Sequence, residues 1–434
     1  MAIRGAVWIA LFMGVSLAPL VFALIGAARP GQGFLTDFSV ALGFVGLAMM
    51  GLEFVLVARF SVLAAPFGPD SLLQFHRHIG FLGLAFIMTH VILSADWSQL
   101  VALDLAQTPW RVRFGALAAL ALIALVVTSV WRVRLHLSYE AWHIAHSVLA
   151  IAFISAAVTH ILLVNHYVDS PWKQALWLLM SAAFVALLLW VRIIKPLRLR
   201  RRPWRVESVV AEQGRATTLV LAPVGHGGFR FEPGQFAWFA FGKSPLALTQ
   251  HPFSISSSAE TTGTLAISIK ALGDFSTRVQ DIETGATVYV DGPHGVFTVD
   301  QHEGPGFCFI AGGIGVTPVM SMLFTLADRA DVRPVILYYA NQRWEDVTFR
   351  DEIERLQGRL NLRVIHALEE PPDGWLGETG FLTKEILLKH LPPNYRRFQF
   401  FVCGPKPMLD AMEQSLLDIG APSERIHTER FGWI

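Results

Sequence analysis

Six histidines fall inside two apolar stretches of this 434-residue chain: His76, His78 and His90 in one, His143, His146 and His160 in the other. His76 and His90 are fourteen residues apart, and so are His146 and His160. At 3.6 residues per turn, fourteen steps come within about 40° of whole turns, so each pair shares a helix face, separated by about 21 Å of rise. That rise covers most of the ~30 Å apolar core of a bilayer. Ionisable side chains in such surroundings are expensive and mark function. If the two stretches run parallel, His76 faces His146 at one membrane level and His90 faces His160 at the other. Imidazole on both faces of a haem iron leaves no open coordination position, which favours electron transfer over ligand chemistry. Two such pairs stacked across a membrane are what a two-haem electron wire requires. His78 and His143 lie on other faces near the membrane edge, as interfacial or propionate-contacting residues. His136 and His166 lie in or beside loops, where solvated histidine is the default.

The composition shows where such helices come from. Hydrophobic residues make up 53% of the chain and charged residues only 16%, well below the usual ~25%. The formal net charge of +1 hides a split: residues 1–200 hold 13 basic and 7 acidic residues, the remainder 22 and 27. Six stretches are long and apolar enough to span a bilayer: Ala6–Ala27, Phe38–Ala58, Phe75–Ser94, Phe114–Trp131, Tyr139–Val164 and Ala175–Val191. The first is too long for a signal peptide and has no clean small-residue cleavage site after it, so it is read as a span. Arg132 and Arg134 share a side with the run Arg192, Lys195, Arg198, Arg200, Arg201 and Arg202, which the positive-inside rule makes cytoplasmic. Arg111 and Arg113 fall on the opposite side. Disorder is excluded by the high apolar content. A disulfide scaffold is excluded because Cys308 and Cys403 are the only cysteines. No nucleic-acid partner is expected at this charge balance.

After residue 200 the chain reads as soluble. Short strands at Trp204–Glu212, Thr217–Ala222, Gln235–Phe241, Thr264–Lys270 and Ala286–Asp291 are punctuated by Glu232-Pro233-Gly234 and Asp291-Gly292-Pro293, as in a small antiparallel barrel. From Gly306 strands and helices alternate. A buried strand, Phe307–Ala311, leads into Gly312-Gly313-Ile314-Gly315-Val316-Thr317-Pro318 and an apolar helix, Val319–Ala327. A glycine-rich turn between strand and helix lets backbone approach a pyrophosphate at the switch point of an open sheet. Further strands are expected at Val335–Ala340, around Leu362–Ala367 and at Phe398–Val402, the last ending in Cys403-Gly404-Pro405. After the second strand stand Asn341, Gln342 and Arg343, then Glu345 and Asp346. An Arg there accepts a 2′-phosphate, so Arg343 favours NADPH, with NADH as the alternative.

The segment Phe75-His76-Arg77-His78-Ile79-Gly80 with His90, and Tyr139-Glu140-Ala141-Trp142-His143-Ile144-Ala145-His146 with His160, resemble spans of the ferric reductase and NADPH oxidase superfamily. The resemblance implies six spans and two b-type haems ligated by His76, His90, His146 and His160. His251-Pro252-Phe253-Ser254-Ile255-Ser256-Ser257 resembles the flavin-contacting strand of ferredoxin-reductase-type FAD domains, where backbone and Ser254 would meet the isoalloxazine edge. Lys270-Ala271-Leu272-Gly273-Asp274-Phe275-Ser276-Thr277 resembles the element that holds the FAD pyrophosphate, with Lys270, Gly273, Ser276 and Thr277 at a helix start. The glycine turn departs from G-x-G-x-x-G and is similar to that of the ferredoxin-reductase nucleotide domain. The same family places a Cys403-Gly404-Pro405 motif beside the nicotinamide, although a lone Cys is more often a small buried residue. Near the end, Phe431 matches an aromatic that covers the flavin ring, with Trp433 as a competitor and a surface tail as the plain reading.

These elements predict a six-helix membrane haem domain over 1–200, an FAD-binding antiparallel β-barrel over 201–303 and an α/β NAD(P)-binding domain over 304–434. The implied activity moves electrons from cytoplasmic NADPH through FAD and two haem b groups to an external one-electron acceptor. The acceptor is O2, giving superoxide, or a ferric chelate. No protein acid or base is required. The position one turn beyond His90 is Ser94, where eukaryotic oxidases commonly carry another histidine. The loop Ala95–Val112 is short, with neither a large chelate cradle nor a lid evident. A membrane subunit that reduces a partner protein outside, docking through Trp97, Trp110 and Arg111, is the alternative; a haem-free membrane flavin reductase is a third. The compact construction, surrounded by membrane lipid, points to a bacterial plasma membrane.

Overall fold

In a computed structural model, residues 2–26, 29–58, 60, 67–94, 108–242, 244–246 and 250–430 are described. The chain divides into two units, Met1–Lys195 and Pro196–Ile434.

In the first unit the described residues include six helices long and apolar enough to cross a membrane. They are α1 (Ala2–Leu24), α2 (Phe34–Leu56), α3 (Gly68–Ser94), α4 (Trp110–Val130), α5 (Tyr139–Val164) and α6 (Pro171–Leu189). A π-turn, Trp190–Ile194, carries α6 into α7, Lys195–Leu199. Five of the six helices start a turn or more earlier than hydropathy alone predicts, two of them at Trp110 and Pro171. Pro109 precedes one and Pro171 opens the other, and a proline's fixed φ suits the first helical turn. Helical backbone continues past Val191 through the π-turn and α7 to Leu199, where long basic side chains can reach a membrane edge.

The bundle interior holds Phe44, Leu47, Met50 and Phe54 of α2 against Ile87, Leu122, Ile154 and Phe184. Where α2 meets α3, glycines permit close approach: a Cβ on Gly46 would stand 2.8 Å from Ile87, and one on Gly83 2.7 Å from Met50. The outer faces remain apolar, as at Leu17 and Val21 of α1 and Leu178 and Leu179 of α6. Such a surface suits lipid.

The second unit starts with an antiparallel sheet of six strands in the order β4-β3-β6-β1-β2-β5. The strands are β1 (Trp204–Glu212), β2 (Ala216–Pro223), β3 (Phe236–Phe241), β4 (His251–Ser254), β5 (Leu265–Lys270) and β6 (Thr287–His294). A bridge between Ile255 and Ile267 joins its two edges, so the sheet curls around Val206, Leu219, Leu221, Phe239 and Val288. Asp291-Gly292-Pro293 is not the turn predicted from its residue types. Strand β6 continues to His294 across an irregularity opposite Phe236 and Trp238. Glycine is needed there, since a Cβ on Gly292 would lie 2.6 Å from that of Ala237.

A parallel sheet follows, ordered β10-β9-β8-β7-β11-β12. It contains β7 (Phe307–Gly312), β8 (Val335–Asn341), β9 (Leu362–Leu368), β10 (Glu378–Thr379), β11 (Gln399–Cys403) and β12 (Ile426–Glu429). Its helices are α8 (Val316–Asp328), α9 (Arg350–Gln357), α10 (Lys384–His390) and α11 (Lys406–Asp418). Strand alternation divides the core. Phe307, Phe309 and Phe401 pack with α8, while Cys308, Ile310 and Phe400 pack with α11. Helix α8 begins at Val316, ahead of the predicted Val319, because Pro318 sits within its first turn, where a missing N–H costs nothing.

Candidate functional site

The ring of His76 on α3 faces that of His146 on α5, with centres 6.4 Å apart. His90 and His160, one membrane level away on the same helices, face each other at 6.3 Å. With about 1.1 Å from ring centre to Nε2 and ~2.0 Å from nitrogen to metal, two imidazoles on one iron place their ring centres about 6.2 Å apart. The observed separations match at both levels.

The second nitrogen of each ring is held. His160 Nδ1 donates to the Arg111 carbonyl at 2.7 Å, and His90 Nδ1 to the Ser39 carbonyl at 3.0 Å. The Ser129 hydroxyl donates to the Leu125 carbonyl at 2.7 Å. Its oxygen therefore accepts from Trp142 Nε1 at 3.3 Å and from His146 Nδ1 at 3.1 Å. His76 Nδ1 meets the carboxylate of Glu53, which is 5% exposed on α2. Three partners accept a hydrogen bond from Nδ1 and the fourth sets a carboxylate against it, an arrangement that leaves each Nε2 its lone pair. This is how ligating histidines are oriented in metal sites.

Two glycines make room for the second pair. A Cβ on Gly43 would stand 3.0 Å from His90 Cγ, and one on Gly115 2.9 Å from His160 Nδ1. Among the described residues no group of three or more His, Cys, Asp or Glu could hold a bare metal ion. Paired imidazoles instead suit a metal whose other donors arrive with it, as in haem. His78 and His143 stay off the pairs: His78 Nδ1 bonds the Gln74 carbonyl at 2.7 Å, and His143 lies 3.4 Å from Arg192. Trp110 and Arg111 open α4, whereas Trp97 and residues 95–107 of the outer loop fall outside the described residues.

In the soluble unit, β4 carries His251, Pro252 and Phe253, half-buried, and Ser254, buried. Registered against β3, it sets Phe253 opposite Ala237 and Ser254 opposite Phe236. His251 stacks on Phe275 with centres 3.8 Å apart, and Phe241 and Phe253 complete an aromatic patch at 5.2 and 6.2 Å from Phe275. A flat aromatic ligand suits such a patch. Gly273 precedes a short 3-10 helix, Ser276–Asp281. There the Ser276 hydroxyl oxygen accepts from the amides of Leu272 and Gly273 at 2.9 and 2.8 Å, so those two amides are already engaged within the turn. Thr277 bonds back to the Gly273 carbonyl. Lys270, at the end of β5, has its ammonium 3.9 Å from Asp346.

The sheet order reverses between β7 and β11, the switch point at which open α/β sheets bind ligands. Their loops cross on glycines. A Cβ on Gly315 would stand 2.5 Å from the Cys403 carbonyl, and one on Gly404 3.1 Å from Gly312 N. A Cβ on Gly312 would meet Met408 Sδ at 2.5 Å, just beyond Pro405. Gly313, at φ +51°, faces open space. Thr317 turns its hydroxyl onto the Ile314 carbonyl at 2.7 Å and, with Pro318, is buried. The Cys403 side chain is fully buried in the core, as in the plainer expectation for a lone cysteine. Arg343 is exposed, its Nε bonded to Glu370 at 2.7 Å, and Gln342 bonds the same carboxylate at 2.8 Å. Phe431 lies outside the described residues.

Glu53, Ser39, Ser129, Gly43 and Gly115 did not stand out in the sequence. One signal was available: Glu53 is a lone acid within an apolar span, which is itself a marker of function.

Residues 42–157 match the family model for a ferric reductase like transmembrane component, 220–298 that for an FAD-binding domain, and 309–414 that for an oxidoreductase NAD-binding domain. The chain is similar to NADH-cytochrome b5 reductase 1 of Debaryomyces hansenii, 33% identical over 151 residues, which are 34% of this chain and 53% of that one. It is similar to the reductase component of propane 2-monooxygenase of Rhodococcus jostii, 30% identical over 54% of this chain and 63% of that one. This chain thus spans about half to two thirds of the length of these curated relatives. Among solved structures, the FAD/NAD-binding domain of a nitric oxide dioxygenase from Vibrio cholerae is 24% identical at a TM-score of 0.47, covering 53% of this chain and 98% of that one. A ferric-reductase-like transmembrane component followed by FAD-binding and NAD-binding domains gives this chain the architecture of the ferric reductase and NADPH oxidase superfamily.

Proposed function

We propose that the chain drives electrons from a reduced nicotinamide nucleotide across a membrane to a one-electron acceptor on the far side. When bound, FAD would divide the nucleotide's electron pair, and two b-type haems would relay single electrons across the bilayer. The observation that carries this reading is the matched pair of facing histidines, each with Nδ1 committed to an acceptor and Nε2 free of any hydrogen bond among the described residues.

Each of this chain's residues then has a task. His76 and His146 ligate the inner iron; His90 and His160 the outer. Glu53, Ser129, Ser39 and the Arg111 carbonyl hold the rings in the ligating tautomer. His251, Pro252, Phe253, Ser254 and Phe275 seat the flavin ring, while Lys270, Gly273, Ser276 and Thr277 lie towards its pyrophosphate. The glycine crossing of Gly312, Gly313, Gly315 and Gly404, with Thr317, Pro318, Cys403 and Pro405, admits the nucleotide backbone. Arg343 meets a 2′-phosphate, which favours NADPH over NADH.

The basic run from Arg192 to Arg202 sets the nucleotide-using half on the cytoplasmic side of a bacterial plasma membrane. The acceptor is a small molecule, O2 or a ferric chelate. Purified protein fed NADPH, with ferric citrate in one arm and a superoxide-dismutase-sensitive dye in the other, tests the proposal. Reduction in either arm, together with a b-type Soret band, supports it. A haem-free preparation, or NADPH oxidation that reduces neither, overturns it. Electron delivery only to an added partner protein would support the docking alternative.

A further inference from the structure

Burying a carboxylate within a membrane span is costly, and the fold does so at Glu53, on the last turn but one of α2. The carboxylate meets His76 Nδ1. Among the described residues neither of its oxygens makes a hydrogen bond, and the ring of His76 is the one basic group it pairs with. The other three candidate ligands lean on neutral groups: His146 on the Ser129 hydroxyl, His90 on the Ser39 carbonyl, His160 on the Arg111 carbonyl. Among the described residues, one histidine pair therefore carries an anion behind a ligand and the other carries none.

We propose that Glu53 is a positioning residue that sets the inner haem's midpoint potential below that of the outer haem, acting through His76. The inference rests on the two-haem reading above. Two effects run the same way. A carboxylate accepting from Nδ1–H makes Nε2 a stronger donor to iron. A buried negative charge also favours the ferric state, which bears one more positive charge than the ferrous. Arg192, which reaches His143 at 3.4 Å, opposes this from the membrane edge, but it is only partly buried and so better screened. An electron entering at the inner pair then moves downhill to the outer pair.

The test is potentiometric titration of the purified, full-length protein: wild type, Glu53→Gln and Glu53→Asp. The His76→Ala/His146→Ala variant, which keeps only the outer pair, identifies the outer wave. The wild type is expected to show two b-type waves with the inner one lower. Glu53→Gln should raise that wave alone by a tenfold or greater change in the ferric-to-ferrous ratio, about 59 mV for one electron. Glu53→Asp, which keeps a carboxylate, should stay nearer the wild type. Two haems with unmoved midpoints in Glu53→Gln, or movement of the outer wave, overturn the assignment and leave the two-haem reading standing. A wild type without haem overturns that reading instead. Should Glu53→Gln lose the inner haem, Glu53→Asp decides. Two haems with the low wave retained support the assignment; a low wave raised tenfold, or loss of the inner haem here as well, overturns it.

Discussion

Gly115 offers a test of whether the second histidine pair holds an iron, because it reaches His160 without touching any ligand atom directly. A Cβ at this position would stand 2.9 Å from His160 Nδ1 and 3.1 Å from Cε1. Comfortable contact needs about 3.5–4.0 Å, so the ring must retreat by roughly 0.5–1 Å. It cannot retreat freely, since Nδ1 is bonded to the Arg111 carbonyl at 2.7 Å. Metal–ligand distances tolerate only about ±0.2 Å. Overpacking of this kind costs about 1–3 kcal/mol. Charged to ligation, that weakens outer haem binding about 5- to 150-fold. Gly115→Val should therefore be purified with the outer haem depleted and the inner one retained, read as haem per FAD by the pyridine haemochrome method. Gly14→Val is the control, because a Cβ there meets no atom within 4 Å. Full haem content and an unchanged spectrum in Gly115→Val would refute the reasoning.

Three further outcomes are expected. Gly315→Ala places a methyl 2.5 Å from the Cys403 carbonyl, a clash of about 1–3 kcal/mol; nucleotide-driven flavin reduction should slow at least about 5-fold while dithionite still reduces the flavin, and equal loss by both routes would count against the site. Glu370→Gln frees Arg343 from an exposed ion pair, so kcat/KM should shift modestly, by about 1.5- to 5-fold, towards NADPH and away from NADH; an unmoved ratio would show that Arg343 does not read the 2′ position. Burial holds His366 down at about 4 and His427, beside His302, at about 3. Unfolded histidine titrates near ~6.5, so the unfolded chain binds more protons between these values and 6.5. Their contribution to stability is thus complete above about pH 6.5 and is lost as the pH falls towards 4 and 3. Urea melts at descending pH should show the decline, and His366→Gln/His427→Gln should flatten it; a parallel decline in the variant would contradict this.

Much of the architecture was legible in the residues because it rests on local periodicity. Apolar runs identify the six spans and the short buried strand Phe307–Ala311, and the fourteen-residue histidine spacing a shared helix face. What supports those histidines was not legible. Ser39 and Gly43 lie on α2, Ser129 and Gly115 on α4, and only packing brings them beside rings on α3 and α5. Arg343 and Glu370 are 27 residues apart and meet only because β8 and β9 are neighbours. The Gly292-Pro293 turn signal misled for a related reason. Its residue types permit a turn, but contact with Ala237 requires the same glycine in a strand.

The central claim is that the apolar half carries two haems on four histidines. Haem per FAD, measured on the purified full-length protein and on its His90→Ala/His160→Ala variant, addresses it most directly. The account predicts two b-type haems in the wild type, one in the variant, and loss of electron delivery to ferric citrate or O2 with NADPH-driven flavin reduction intact. A wild type with no Soret band, or a variant that keeps both haems, would contradict it.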